Sequence, residues 1–223
     1  MTPPVNRPLN GALNGPGNRA SGQHHGDLRR ALEEAALALI SERGPRGFTL
    51  AEASRRAGVS VAAPYKHYTD RDALLAALAL RGYREQQRRF AAAVTAASAA
   101  GPAGQLAAFA VAYVTFAAEE RSLFAITFAA GLDKAGYPEL VEAGNDVLAV
   151  LTAPARQLSG DPESARELVL AVAASAHGLA VFLLEGVFGP VPEALPPTLR
   201  RAAAAARTLA RHPAGRETEK DLA

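Results

Sequence analysis

The basic side chains best suited to bind a charged partner are clustered in residues 44–68. This stretch contains four basic residues and one acidic residue: Arg46, Arg55, Arg56, Lys66 and Glu52. Guanidinium and ammonium groups donate hydrogen bonds to phosphate oxygens and neutralise their charge. Residues 119–167 show the opposite balance, with nine acidic residues against four basic ones. This distribution favours phosphate binding at one end of the molecule and repulsion of phosphate at the other.

A first short helix is predicted to position these cations. Thr49 and Glu52 have the spacing of a capping box, in which the Glu52 N–H donates to the Thr hydroxyl and the carboxylate accepts from the cap N–H. Leu50, Ala53 and Ala57 then share one face of the helix. Gly58 follows as the residue that adopts the left-handed conformation at the helix end.

A second short helix is predicted over residues 61–67, with Ser60 as its N-cap. Pro64 removes an early backbone donor, so the first turn of this helix is expected to be irregular. Asp70, or Thr69 before it, caps a third helix. A helix, a glycine turn and another helix within about 20 residues is the spacing of a DNA-reading helix-turn-helix.

At these residues the chain resembles the DNA-binding domain of the TetR family of bacterial transcriptional regulators. The matching positions are an amphipathic helix over residues 27–43, then Gly47, Thr49, Ala53, Ala57-Gly58-Val59-Ser60, Tyr65, His67-Tyr68, Arg71 and Leu74. Tyr68 stands where the family usually has Phe, and Arg71 where it usually has Lys. Both substitutions keep the expected physical role, a buried aromatic ring and a phosphate-facing cation.

The resemblance implies that the first short helix crosses the DNA backbone and the second lies in the major groove. The expected contact residues are Thr49, Arg55, Ser60, Val61, Ala62, Ala63, Tyr65, Lys66, His67 and Arg71. The polar members suit phosphate, although Arg55 fits a solvated surface equally well. The apolar members, Val61, Ala62 and Ala63, offer only contacts such as those with thymine methyl groups. Other contacts or DNA shape are therefore expected to carry part of the specificity.

The fold class expected from composition and resemblance is all-α, with about nine helices. An Ala-rich chain of 223 residues with few aromatic residues favours closely packed helices. A three-helix DNA-binding domain (24–70) should precede a larger ligand-binding and dimerisation domain (71–212). Residues 1–23 and 213–223 are expected to be a disordered arm and tail.

Composition also indicates the cellular setting. Cysteine is absent, which excludes disulfides and fits a reducing cytoplasm. Residues 1–23 contain no apolar core of signal-peptide length. The adjacent His24 and His25 lack nearby partners and do not suggest a metal site. We therefore expect a cytoplasmic protein with no metal and no cofactor.

The middle of the chain is rich in aromatic residues. Six of the thirteen Phe and Tyr residues lie between Phe109 and Tyr137. One interpretation is a pocket for a small, largely apolar effector, lined by Phe109, Tyr113, Phe116, Phe124, Phe128 and His177. The alternative is that these rings simply fill a core. The segments 121–124 and 175–180 resemble, more weakly, the C-terminal domain of the TetR subclass named for its Trp, His and Gly, although this chain has no Trp.

A helix is predicted over residues 138–158, and a last helix follows a Pro-rich link over residues 198–211. Between them a long apolar helix is predicted over residues 163–185, and the 17 uncharged residues at its centre fall short of the roughly 20 that span a membrane. Small residues at helical spacing instead allow another helix to approach closely. We expect a homodimer interface formed by Leu168, Ala171, Val172, Ser175, Gly178, Leu179, Phe182, Leu199, Ala203 and Ala206.

The expected function is that of a ligand-released repressor, not an enzyme, which binds a double-stranded DNA operator as a homodimer and has no membrane partner. The alternative is a helical enzyme acting on a hydrophobic small molecule, with His177 as base and Glu119 or Glu120 as acid. No Ser-His-Asp, paired-His or Gly-rich phosphate-binding arrangement accompanies these residues.

Overall fold

The computed structural model of the chain describes residues 20–129, 131–133 and 136–212. Within these ranges all regular structure is helical, which confirms the all-α expectation. The nine α-helices are α1 (Ala20–Arg43), α2 (Leu50–Arg56), α3 (Arg71–Ala96), α4 (Gly101–Glu119), α5 (Arg121–Ala129), α6 (Pro138–Ala149), α7 (Thr152–Ser159), α8 (Pro162–Leu184) and α9 (Val191–Arg211).

Helix α1 begins at Ala20, before the predicted cap at Asp27. Most of the predicted N-terminal arm and all of the predicted tail lie outside the described residues. The buried face of α1 carries Leu32, Leu39 and Ile40, which belong to the hydrophobic core. Helix α2 packs against α1. It has the predicted capping box, with the Glu52 N–H donating to Thr49 Oγ1 at 3.2 Å and Glu52 Oε2 accepting from the Thr49 N–H at 2.9 Å.

The predicted helix over residues 61–67 is wrong in its form, because only Pro64–Lys66 are helical and they form a single 3-10 turn. In an α-helix capped by Ser60, the residue at position 64 would donate its N–H to the Ser60 carbonyl. Proline has no N–H, so Ala63 donates to that carbonyl instead, at 3.0 Å. This three-residue spacing is the hydrogen-bond pattern of a tighter turn. The irregularity expected from Pro64 therefore extends over the whole segment.

Helix α3 links the N-terminal three-helix unit to the rest of the molecule. Asp70 caps it, with Oδ1 accepting from the Ala73 N–H at 2.8 Å. Leu74 and Leu78 near its start are fully buried, and so is Phe90 near its end. One helix thus contributes to the packing at both ends of the molecule.

Helix α4 is the centre of the C-terminal bundle, in contact with α3, α5, α7, α8 and α9. The segment Ser98–Glu119, which includes α4, and helix α8 are long and apolar enough to cross a membrane, by length and composition alone. In the fold both helices pack against other helices of the bundle on one side, and α4 buries Phe109, Tyr113 and Phe116 against its neighbours.

Two predicted boundaries in the C-terminal half are wrong, and proline accounts for both. The single helix expected over residues 138–158 is divided into α6 and α7, because Pro154 cannot donate to the Val150 carbonyl. Helix α9 begins at Val191 instead of Thr198 and contains Pro196 and Pro197. Thr198 is buried inside this helix, where its hydroxyl donates to the Ala194 carbonyl at 2.7 Å.

Phe90→Ala should lower the free energy of unfolding by about 3–5 kcal/mol, because it leaves a cavity in a packed core. The Phe90 ring lies 5.0 Å from that of Phe109 and 5.4 Å from that of Tyr113. Urea denaturation monitored by circular dichroism measures the loss. Val61→Ala is the control, since Val61 is 52% exposed and should change stability by less than about 0.5 kcal/mol. Equal effects of the two substitutions would contradict this packing.

Candidate functional site

Residues 60–67 form the second half of the predicted helix-turn-helix. Most of them are exposed, and we call this stretch the recognition segment. Val61 is 52% exposed and Tyr65 is 63% exposed, which is unusual for large apolar side chains. Ser60, Ala62 and Lys66 are exposed as well. Ala63 and His67 are half-buried, and Thr49 and Arg55 are exposed on α2 and its cap.

Tyr68 anchors the recognition segment to α1. The side chain is 5% exposed, and its hydroxyl donates to Glu33 Oε1 at 2.8 Å and accepts from Arg29 Nε at 3.3 Å. Burial, together with the neighbouring Glu33 carboxylate, raises the pKa of Tyr68 to about 12. The prediction of a buried aromatic ring at this position is confirmed. Its partners are more than thirty positions away in the chain, so no local pattern could have indicated them.

Arg71 does not occupy the place expected of a phosphate-facing cation. Its guanidinium donates to the Pro45 carbonyl and to Asp72 Oδ1, and lies 5.2 Å from the centre of the Phe48 ring. These contacts close the α1–α2 loop onto the start of α3. The structure therefore gives Arg71 a structural role within the three-helix unit.

The remaining cations of the N-terminal unit differ in their pairing. Arg43 donates to Glu52 and Arg56 makes a bidentate pair with Glu42, at 2.7 and 3.1 Å. Arg55 and Lys66 form no salt bridge with the described residues, although Arg55 Nε donates to the Ala51 carbonyl at 3.2 Å. Arg46 is also exposed and forms no salt bridge with the described residues, but its guanidinium lies beside Gly131, which leaves Arg55 and Lys66 as the cations of the helix-turn-helix most available to an external anion.

The N-terminal unit contacts the bundle at α5, at the residues just after α5, and at α3. The Ser122 hydroxyl donates to the Leu37 carbonyl of α1 at 3.3 Å. Gly131, with φ of 70°, lies so close to Arg46 that an added Cβ would be 3.1 Å from the guanidinium. Arg81 of α3 adds a long-range pair with Glu33 of α1, at 3.7 Å. Sequence reasoning missed these contacts, since each joins residues far apart in the chain.

The six predicted pocket residues do come together, but as closely spaced rings. Together with Phe90 we call them the aromatic cluster. Tyr113 is at its centre, with ring centroids between 5.4 and 6.4 Å from those of Phe90, Phe109, Phe124, Phe128 and His177. A cavity of about 80 Å³ adjoins Phe128, between α3, α5 and Leu140. This spacing favours the alternative that most of the rings fill a core.

Phe128 and His177 form the outer edge of the aromatic cluster. Phe128 is 47% exposed, and its ring centroid is 4.5 Å from that of half-buried His177. The Tyr113 hydroxyl is 3.0 Å from His177 Nδ1. Burial raises the pKa of Tyr113 and lowers the pKa of His177. In the tautomer protonated at Nε2, the phenol therefore donates to a neutral imidazole.

A buried polar group lies between α3 and α5, which the hydrophobic pattern did not indicate. Gln86 is 1% exposed, and its Nε2 is 3.4 Å from Thr127 Oγ1. Thr127 in turn donates to the Phe124 carbonyl at 2.9 Å, and its own carbonyl accepts from Tyr83 at 3.3 Å. The Gln86 Oε1 atom has no hydrogen-bond partner among the described residues. Helix α5 is therefore joined to α3 partly by polar contacts.

The predicted interface residues divide into three groups by their exposure. Leu168, Val172 and Ala206 are at most 2% exposed and pack inside the chain, so they cannot meet a partner without rearrangement. The outward side of α8 consists of the exposed residues Leu170, Ala174 and Phe182 together with half-buried Gly178, and we call these four residues the α8 outward face. The others are half-buried: Ala171, Ser175, Leu179, Leu199 and Ala203. The prediction recognised the helical spacing of these residues, but three of the residues that it selected face the core of their own chain.

The residues of the enzyme alternative are held in separate contacts. Glu119 Oε2 accepts from Arg89 at 2.7 Å and Glu120 Oε1 accepts from Arg89 at 2.9 Å. His177 contacts Tyr113 and the neighbouring rings. Among the described residues, no group of three or more His, Asp or Glu side chains could hold a metal ion. The geometry thus does not assemble an acid–base pair from these residues.

Two family descriptions match the chain. Residues 32–78 match bacterial regulatory proteins of the tetR family, and residues 106–210 match the tetracyclin repressor-like C-terminal domain. The chain belongs to the TetR family of transcriptional regulators. The resemblance on residues 27–74 is confirmed, as is the order of a DNA-binding domain and a helical C-terminal domain.

Solved structures show the same fold. A protein of unknown function from Rhodococcus sp. RHA1 is 31% identical with a TM-score of 0.66, over 82% of this chain and 97% of that one. A putative TetR-family regulator from Mesorhizobium loti is 22% identical with a TM-score of 0.61, over 83% and 96%. PfmR, a TetR-family regulator from Thermus thermophilus, is 18% identical with a TM-score of 0.57, over 80% and 94%. No curated protein matches the chain in sequence.

Acidification should destabilise the protein through His177. Because burial lowers the pKa of His177 in the folded state, the unfolded state binds this proton more readily. The free energy of unfolding should therefore fall as the pH drops below about 6.5, the ordinary pKa of histidine. Thermal denaturation between pH 7.5 and 5.5 measures this effect as a falling Tm.

His177→Phe should make the dependence of Tm on pH shallower, while replacement of the exposed His212 by Phe should leave it unchanged. An identical pH dependence in wild type and His177→Phe would show that His177 does not titrate differently on unfolding.

Proposed function

We propose that this regulator is a repressor that binds a pseudo-palindromic operator as a homodimer and leaves it when a small, largely apolar effector binds. The observation that carries the DNA-binding part is the exposed recognition segment, fixed to α1 through Tyr68 and its two polar partners. A segment held in one conformation loses little entropy on binding, which favours affinity. The proposed division is a DNA-binding domain over residues 24–70 and an effector and dimerisation domain over 71–212.

The proposed DNA contacts follow from exposure and charge. Lys66 and Arg55 would bind phosphate, since both are exposed and have no ionic partner in the described part of the chain. The donors Ser60, Tyr65 and His67 would add positioning contacts. The Thr49 hydroxyl already donates to Glu52 Oε2 at 3.0 Å, so Thr49 could only accept a further contact. Val61, Ala62 and Ala63 would pack against base edges in the major groove. Arg71 is left out, because its guanidinium is held by Pro45 and Asp72.

The α8 outward face supports dimerisation in this chain. Large apolar side chains stand at its two ends, with Leu170 42% exposed and Phe182 50% exposed. Between them Ala174 and Gly178 leave the helix surface shallow, and a Cβ added at Gly178 would meet nothing within 4 Å. A second helix could therefore approach closely. Burial of such a face against a second copy removes apolar area from water, about 25 cal/mol for each Å².

Release by an effector requires that ligand binding changes the DNA-binding domain. Helix α5 supports such coupling, because Phe124 and Phe128 belong to the aromatic cluster while Ser122 contacts α1. A ligand that displaced exposed Phe128 from His177 would move α5 relative to α1 and to Arg46. The shift in the conformational equilibrium would equal the difference between the ligand's binding free energies for the DNA-incompetent and the DNA-competent conformations. We propose that this occurs in the cytoplasm and involves no catalysis.

Lys66→Ala should weaken binding to every DNA sequence and lower the slope of log K against log salt by about one unit. Ala62→Asp should abolish specific binding, because a carboxylate would enter the groove beside the phosphates. Fluorescence anisotropy with the DNA flanking the protein's own gene, at several salt concentrations, measures both effects. Arg84→Ala, an exposed cation on α3, is the control and should leave both quantities unchanged.

If Lys66→Ala and Ala62→Asp both kept full affinity at moderate salt, the recognition segment would not be the DNA-binding surface. Circular dichroism of each variant would exclude loss of the fold as the cause of any weaker binding.

Gly178→Arg should convert the dimer to a monomer without unfolding the chain. The new side chain would point into open space within the protomer but into the partner in a dimer. Sedimentation velocity at micromolar concentration measures the oligomeric state. Gly136→Arg is the matched control, because an added Cβ there also meets nothing within 4 Å and the residue belongs to the segment before α6 instead of to α8.

A native protein that is monomeric yet binds its operator would contradict the dimer proposal. An unaltered dimer in Gly178→Arg would place the interface on another surface.

A further inference from the structure

A groove between α6, α7 and α8 shares Leu170 with the α8 outward face, and its other lining residues have no role in the functions proposed above. Its volume is about 410 Å³, within the range of sites that bind small organic molecules. It opens on the side of the bundle formed by the end of α6 and the first two turns of α8. The groove is separate from the aromatic cluster, because none of the cluster's rings lines it.

Two arginine side chains line the groove, Arg156 from α7 and Arg166 from α8. Both are exposed, and neither has a salt bridge or side-chain hydrogen bond with the described residues. Arg89 differs, since it donates to Glu85, Glu119 and Glu120. An unpaired guanidinium retains all five of its donors for a ligand.

The charge of the groove is opposite to that of its surroundings. Residues 119–167 carry nine acidic residues against four basic ones, yet no carboxylate lines the groove. The Asn145 amide and the Thr152 hydroxyl add two further potential donors. A larger groove of about 1060 Å³ beside α1 and α3 differs, since its arginines share the space with Glu33, Glu85, Glu120 and Glu139. In the smaller groove, by contrast, no lining carboxylate offsets the two guanidinium groups.

The rest of the lining is apolar. Leu148, Val169 and Leu170 provide aliphatic surface beside the two guanidinium groups. A ligand that matches this lining has one anionic group and an aliphatic body. Carboxylate fits the planar guanidinium geometry through paired N–H···O bonds.

We propose that this groove binds a small aliphatic carboxylate, with its carboxylate between Arg156 and Arg166 and its chain along Leu148 and Val169. The proposal is independent of operator binding and of the effector pocket at the aromatic cluster. It concerns a second ligand site on the C-terminal bundle.

Isothermal titration calorimetry with sodium octanoate tests the proposal on the full-length protein. Octanoate should bind one site per chain, and 1-octanol, which lacks the charge, should bind at least about tenfold more weakly. Affinity should rise about threefold to fourfold for each methylene from hexanoate to octanoate, as expected for burial of an aliphatic chain.

Arg156→Gln and Arg166→Gln should each weaken octanoate binding about tenfold or more. Arg200→Gln, an exposed arginine on α9 outside the groove, should leave it unchanged. Because all three side chains are exposed, the fold should survive, and circular dichroism checks this.

The proposal is overturned if octanoate does not bind, or if Arg200→Gln weakens binding as much as the groove variants. It is also overturned if both groove variants bind octanoate normally, since the ligand would then occupy another site. Weaker dimerisation in the groove variants with unchanged octanoate affinity would instead assign the two arginines to contacts between copies of the chain.

Discussion

The continuity of helix α3 is the constraint on which the rest of the structure depends. Its first turns bury Leu74 and Leu78 beneath the recognition segment, and its later turns bury Phe90 in the aromatic cluster. A continuous helix is stiff, because every residue inside it is fixed by a backbone hydrogen bond. The N-terminal unit therefore cannot shift relative to the bundle unless α3 tilts or its contacts with α1 and α5 change. The two parts are joined by polar contacts at Glu33 and Ser122 and by the close approach of Gly131 to Arg46.

The same helix connects two kinds of packing with different physical character. Around α4 the side chains are aromatic or aliphatic and closely spaced, which resists deformation. Between α3 and α5 the contacts are partly polar, and Gln86 keeps one acceptor without a partner in the described residues. An unsatisfied buried polar atom is costly, so this layer is the less stable of the two. Movement of the bundle relative to the N-terminal unit is thus most easily accommodated at α5.

Local pattern predicted much of the fold, because capping and helical period depend on nearby residues. The capping box at Thr49, the Asp70 cap and the all-α class were confirmed on this basis. Errors arose where proline changed the backbone hydrogen bonding, at Pro64 and Pro154, and where Pro196 and Pro197 were assigned to a link instead of to α9. Three residues predicted for the interface, Leu168, Val172 and Ala206, are buried within their own chain, because a helix that is apolar on most sides does not reveal which side meets its own chain. The role of Arg71 depended on Pro45 and Phe48, whose positions only the folded chain defines.

Selection of bound sequences from a random pool of double-stranded DNA tests the central claim most directly. The account predicts enrichment of a pseudo-palindrome, whose two half-sites lie about one helical turn or a little more apart. That result would require both a sequence-reading surface and a two-fold dimer, since each half-site would be read by one protomer. Enrichment of no sequence, or of a single unpaired half-site, would contradict the claim that this chain regulates transcription as a dimeric operator-binding protein.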